Sequence, residues 1–175
     1  MALTQLVDSS VLTRLHHPAI RGAIEPRAER GELARAGISD LEIGYSARSA
    51  AEWDRLTDAL QAFELVETTA DHLRRARQVQ RMLASKRQRG RKVPDLLIAA
   101  AAEARGLTVL HYEADFDRIA SVTGQSCEWV APSGSVDCDR PRWRWGLPIT
   151  TRRRPGQPRS RRQARRPNRG SSEGH

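Results

Sequence analysis

Four apolar segments, far apart in the chain, each end on or run into carboxylates: Leu6-Val7-Asp8, Ile38-Ser39-Asp40-Leu41-Glu42, Val93-Pro94-Asp95-Leu96-Leu97-Ile98 and Val109-Leu110-His111-Tyr112-Glu113-Ala114-Asp115-Phe116-Asp117. An ionised carboxylate beside a core is costly alone, so several that converge from distant segments usually share a cation or a proton. A fold built on such segments can bring their ends to one rim. Oxygen-only ligands of this kind suit Mg²⁺ or Mn²⁺.

The hydrophobic spacing supplies the segments. Leu3 to Val7 reads as a short buried strand, and Ser9 or Ser10 offers an N-cap for a helix running to about Leu15. Ile20, Ile24 and Ala28 have helical spacing interrupted by Pro26, and Leu33 to Ile38 reads as a second strand closed by Gly37. Ser39 with Glu42 three residues on forms a capping-box pattern, which puts Glu42 in the first turn of the next helix. Trp53, Leu56, Leu60 and Phe63 predict an amphipathic helix, followed by a brief strand at Leu65-Val66. A helix from Thr69 to about Gln88 carries Leu73, Ala76, Val79 and Leu83 on one face and arginines on the other, with Gly90 ending it. Pro94 leads into a nearly all-apolar helix from Asp95 to Arg105, and Gly106 stops it before a strand at Leu107 to Leu110. Asp115 to Val122 reads as a helix and Cys127 to Val130 as the last strand. The order β-α-α-β-α-α-β-α-α-β-α-β predicts an α/β sandwich with a mostly parallel central sheet, in which ligands bind at the carboxyl ends of strands.

Charge divides the chain. Residues 1–132 hold 18 Lys and Arg against 18 Asp and Glu, whereas residues 133–175 hold 12 Arg against 3 acids and so carry the whole formal charge of +9. The second stretch has too few apolar residues to repay the entropy of ordering, which predicts a disordered basic tail at 133–175 behind a domain at 1–132. Cys127 and Cys138 lack metal-ligand spacing and predict no disulfide framework. No apolar run approaches the roughly 18 residues of a membrane span, and the N-terminus has no secretion signal, so a soluble, cytoplasmic protein is expected.

Taken singly, each acid has a plainer explanation. Asp8 fits a turn or helix cap, Glu42 a capping-box partner, Asp95 a first-turn acid favoured by the helix dipole, and Asp117 a solvated helix start. Ser9 or Ser10 either holds a ligand or caps a helix. His16, His17, His72, His111 and His175 show no nucleophile-base spacing and are expected at the surface or in packing. Arg14, Lys86, Arg87, Arg89, Arg91 and Lys92 either meet phosphates beside the acidic rim or form a solvated face. Trp53 and Phe63 are expected in the core or a dimer interface. Arg142-Trp143-Arg144-Trp145 interleaves cations with stacking rings, as single-strand binders do.

Together, Val7-Asp8-Ser9-Ser10-Val11-Leu12, Ile38 to Arg48, Lys92 to Ala102 and Leu110 to Asp117 resemble the PIN-domain ribonucleases, in particular the VapC-type toxins of bacterial toxin–antitoxin pairs. The resemblance spans about Leu3 to Ala131. It implies a PIN-like three-layer sandwich in which Asp8, Glu42, Asp95 and Asp115 are the metal-binding acids of the active site, with Glu113 and Asp117 as further candidate ligands. Such proteins often have Asp where this chain has Glu113. The resemblance further implies a Mg²⁺-dependent endoribonuclease, with Mn²⁺ as a substitute, cutting tRNA or ribosomal RNA to leave 3′-hydroxyl and 5′-phosphate ends. It also implies a homodimer and a cognate antitoxin protein in the acidic groove. The alternative is a non-catalytic RNA-binding or regulatory module on the same fold. A full set of acids favours the enzyme, because a pure binder gains nothing from negative charge facing phosphate.

Overall fold

A computed structural model describes residues 2–88 and 92–136. The chain runs β1 (Gln5–Val7), α1 (Ser9–Leu12), α2 (Pro18–Glu29), β2 (Leu33–Ala36), α3 (Gly37–Gly44), α4 (Ala50–Leu60), β3 (Glu64–Val66), α5 (Ala70–Ser85), α6 (Val93–Arg105), β4 (Thr108–His111), α7 (Asp115–Thr123) and β5 (Cys127–Trp129). This is the order that the periodicities predict. The strands form one parallel sheet in the order β3-β2-β1-β4-β5, so all their carboxyl ends lie along one edge. The chain builds outward from β1 through β2 to β3, then returns to β4 on the other side of β1. That reversal between β1 and β4 is where an open parallel sheet leaves a crevice for a ligand.

Neighbouring strand residues alternate between two cores. Leu6, Ala34 and Val109 pack with residues of α5, α6 and α7, while Val7, Leu33 and Leu110 pack with residues of α1, α2 and α4. Helices therefore cover both faces of the sheet, as short all-parallel strands require. Buried residues run without interruption from Asp95 to Ala102 in α6, which makes that helix the inner support of one layer. Gly106 ends it in the left-handed region at φ 63°, a conformation that favours glycine.

Several local expectations are corrected. The cap of α1 is Asp8, whose side chain accepts from Ser10 N, and the helix ends at Leu12 instead of Leu15. The capping box at Ser39 and Glu42 does not form. Instead α3 begins at Gly37 with Ala36 as its N-cap, Ser39 is buried, and Glu42 falls in the second turn. The chain passes from strand to helix without a loop, since β2 ends at Ala36 and α3 begins at Gly37. Pro26 lies inside α2 without ending it. Helix α5 stops at Ser85, and Leu73 on it is half exposed; Gly90 lies outside the described residues, as do residues 137–175 of the expected tail. Phe63 is core, whereas Trp53 is 44% exposed and lies against Gly44, where a Cβ would collide with the indole.

Arg35 is a buried charge in β2. Its guanidinium pairs with Asp40 at 2.7 Å and donates to the carbonyls of Leu60 and Phe63 at 2.8 and 2.6 Å, joining the first turn of α3 to the end of α4. A buried charge that is both paired and hydrogen-bonded escapes most of its desolvation cost.

Candidate active site at the strand ends

Asp8 leaves the end of β1 directly into the crevice. Its N–H donates to Leu110 O of β4 at 2.9 Å, and its Oδ2 accepts from Ser10 N at 2.8 Å. The cap is worth about 1 kcal/mol. It also leaves the carboxylate 1% exposed and fixed at the switch between β1 and β4. The adjacent serines divide the work. Ser9 Oγ donates to Glu42 Oε2 at 2.8 Å, while Ser10 Oγ accepts from Tyr112 N at 3.0 Å and so ties α1 to the chain leaving β4.

Asp95 sits in the first turn of α6, 2% exposed, and its Oδ2 is buried with no hydrogen-bond partner among the described residues. Burial and the neighbouring Asp8 raise its pKa to about 8, against the opposing pull of Lys92 and with further increments from Glu113 and Asp115. Burial likewise raises Asp8, with Glu113 adding to the effect. Glu42 is raised by burial, with contributions from Asp8 and Glu113. These five acids feel one another as a group. Lys92, the N-cap of α6, brings a positive charge among them, with its Nζ 2.5 Å from Glu113 Oε1. Burial works against the Lys92 charge, but Glu113, Asp95 and Asp115 outweigh it and hold the ammonium protonated. Asp115 opens α7 and pairs with Arg118 at 2.9 Å.

Asp117 belongs elsewhere. Its carboxylate accepts from Trp129 Nε1 at 3.2 and 3.0 Å and lies 3.8 Å from His111 Nε2. Of the expected cationic face, Arg14 donates to Ser10 O at 2.7 Å and stacks 5.1 Å from the Tyr112 ring centroid. Lys86 donates to Ser121 O. Arg89 and Arg91 lie outside the described residues.

The donor set at the rim is oxygen only, and a buried carboxylate oxygen without a partner is what a hard divalent cation would satisfy. Asp8, Glu42, Asp95, Glu113 and Asp115 therefore fit such an ion. The rim acids form no group as tight as 4.8 Å among the described residues; the three side chains that do are His111, Asp117 and Cys127. Neither this second cluster nor the Arg35 anchor was found by sequence reasoning. His111 and Cys127 lie on different strands, and the signal that pairs them is the β4–β5 register, which opposes Val109 to Cys127 and His111 to Trp129.

A family model described as PIN domain matches residues 6–122. The chain is 61% identical over 137 residues to Ribonuclease VapC51 of Mycobacterium tuberculosis, covering 78% of this chain and the whole of that protein. It is 46% identical over 138 residues to Ribonuclease VapC21 of the same species, again over 78% of this chain and all of the relative. Among solved structures, VapBC2 of Rickettsia felis bound to a promoter DNA fragment is similar with a TM-score of 0.61 at 19% identity, over 74% of this chain and 99% of that one. FitAcB of Neisseria gonorrhoeae gives 0.58 at 13% identity, over 73% of this chain and 98% of the other. These two share the fold.

Proposed function

Because the chain belongs to the PIN-domain family, as a VapC-type member, we propose that it is a Mg²⁺-dependent endoribonuclease and the toxin of a toxin–antitoxin pair. The observation that carries this reading is Asp95, buried, partly orphaned and pushed towards protonation beside Asp8. Such a carboxyl gains most from a cation. Relatives named as ribonucleases support the nuclease assignment.

Asp8, Glu42, Asp95 and Asp115 would hold the ion, with Glu113 beside them as a further ligand. A Mg²⁺ or Mn²⁺ ion held by these residues would supply the positive charge that offsets five acids facing a phosphodiester, and Lewis-acid activation of water. The protein's own residues set the geometry. The helix cap fixes Asp8, Ser9 aims Glu42, and Lys92 restrains Glu113 while leaving an ammonium at the rim to meet phosphate. His111 has no role as a base in this scheme, since its ring is fully buried and packed against Phe116 and Trp129.

The RNA class proposed is tRNA or ribosomal RNA, cut in the cytoplasm. A homodimer is expected, and the cognate antitoxin should place an Arg or Lys among the rim acids, where a cation replaces metal. The deciding experiment incubates total cellular RNA with the full chain, with and without Mg²⁺, and maps new 5′ ends alongside Asp95→Asn. Discrete Mg²⁺-dependent ends that vanish in the variant are expected. Salt-sensitive RNA binding without any cleavage would favour the non-catalytic module instead.

A further inference from the structure

We propose that His111, Asp117 and Cys127 form a second metal site, separate from the oxygen-only rim and suited to a softer divalent ion such as Zn²⁺. The three residues come from the end of β4, the first turn of α7 and the start of β5, and their ligand atoms all lie within 4.8 Å of one another. Asp117 Oδ1 is 3.8 Å from His111 Nε2 and 3.9 Å from Cys127 Sγ. Tetrahedral Zn²⁺ with N and O ligands at about 2.0–2.1 Å and S at about 2.3 Å sets its ligands roughly 3.4–3.6 Å apart. Closing on an ion therefore takes a few tenths of an ångström at the two Asp117 edges, and the His111–Cys127 edge starts within 4.8 Å.

The independent pointer to a ligand is His111. It is fully buried, yet Nε2 has no hydrogen-bond partner among the described residues, and it faces the Asp117 carboxylate and the thiol. The ring is held between Phe116 and Trp129, with centroids at 5.2 and 4.9 Å, so its direction is set before any ion arrives. Trp129 Nε1 donates to Asp117, which orients the carboxylate in the way an outer-shell partner does. The Asp117 side chain is 49% exposed, giving the ion a path and leaving a water in the fourth position. An N, O, S donor set selects Zn²⁺ or Co²⁺ over Mg²⁺.

Occupancy has a structural consequence. In the metal-free protein Glu113 N donates to His111 Nδ1 at 3.4 Å. A metal on Nε2 requires the ring proton on Nδ1, so this long bond is given up and the backbone at Glu113 is released. The second site thereby touches the acidic rim through Glu113.

The test titrates Co²⁺ into the full-length Cys138→Ser protein with Mg²⁺ in excess, so that the oxygen site is filled and Cys127 is the sole thiol. A thiolate-to-Co²⁺ charge-transfer band with the intense visible bands of tetrahedral Co²⁺ should appear at one equivalent and be displaced by Zn²⁺. Cys127→Ser with Cys138 intact should lose the charge-transfer band. Asp117→Asn should weaken Co²⁺ by at least about tenfold. No band in Cys138→Ser, a band that persists in Cys127→Ser, or unchanged affinity in Asp117→Asn would each overturn the proposal. None of these outcomes bears on Mg²⁺-dependent cleavage, which is read separately.

Discussion

Ser9 Oγ donates to Glu42 Oε2 at 2.8 Å across 33 positions of sequence, which joins the helix after β1 to the helix after β2 at the mouth of the crevice. Ser9 also lies beside Asp8, 3.5 Å from its Oδ1. One hydroxyl therefore sets the spacing of two acids that repel each other. Ser9→Ala should leave the fold intact and cut Mg²⁺-dependent cleavage by about 10–100-fold, the usual cost of losing a partner outside the ligand shell, while Ser9→Thr keeps most of the activity. Single-turnover cleavage of one mapped RNA site measures this. Wild-type rates in the alanine variant would remove Ser9 from the machinery.

Asp95→Asn should nearly abolish cleavage, with a loss beyond the tenfold to hundredfold expected for an outer-shell residue. The same variant should stabilise the metal-free protein at pH 8. A carboxyl whose pKa rises from 3.8 to about 8 on folding holds its proton preferentially in the native state. Metal-free stability should consequently be highest near the acid end of that interval and fall as pH rises towards 8. Thermal melts in EDTA between pH 5 and pH 8 should show this slope in the wild type and a shallower one in Asp95→Asn. A wild-type Tm that climbs over that range would contradict the buried, proton-holding carboxyl.

Metal binding must remove the same proton. Mg²⁺ or Mn²⁺ affinity should therefore increase with pH up to about 8, with proton release visible in calorimetry as a heat that changes with the ionisation enthalpy of the buffer. EDTA should stop cleavage and either ion should restore it. Full activity in metal-free protein would remove metal from the mechanism.

The element order was legible because strand and helix periods differ strongly enough to survive short segments. Asp8, Glu42 and Asp95 were legible because each abuts an apolar run. Boundaries failed at helix starts. Helix α3 begins at Gly37 directly after β2, which leaves Ser39 inside the helix and no capping box, and the Asp8 cap takes the place expected of a serine. Arg35 was invisible for a related reason, since its partners Asp40, Leu60 and Phe63 meet only after α4 has packed. Asp117 shares a segment with Asp115, but the helix start at Asp115 places it on a different side, towards β5. A linear spacing rule cannot separate two acids two residues apart.

The basic C-terminal stretch should add affinity without adding chemistry. Every rim acid lies within residues 1–132, and the described chain stays packed slightly further: Val136 is 4% exposed, and its N–H donates to the Tyr112 hydroxyl at 2.7 Å. A chain ending just after Val136 should therefore fold, bind metal and cleave. It should also lose most of the salt-sensitive, nonspecific RNA affinity that 12 arginines confer through counterion release. The expected signature is a raised apparent KM at low salt with little change in the single-turnover rate at saturating RNA, the two proteins converging as salt increases. A shortened protein that is folded and metal-loaded yet fails to cleave at saturating RNA would place part of the catalytic machinery beyond Val136.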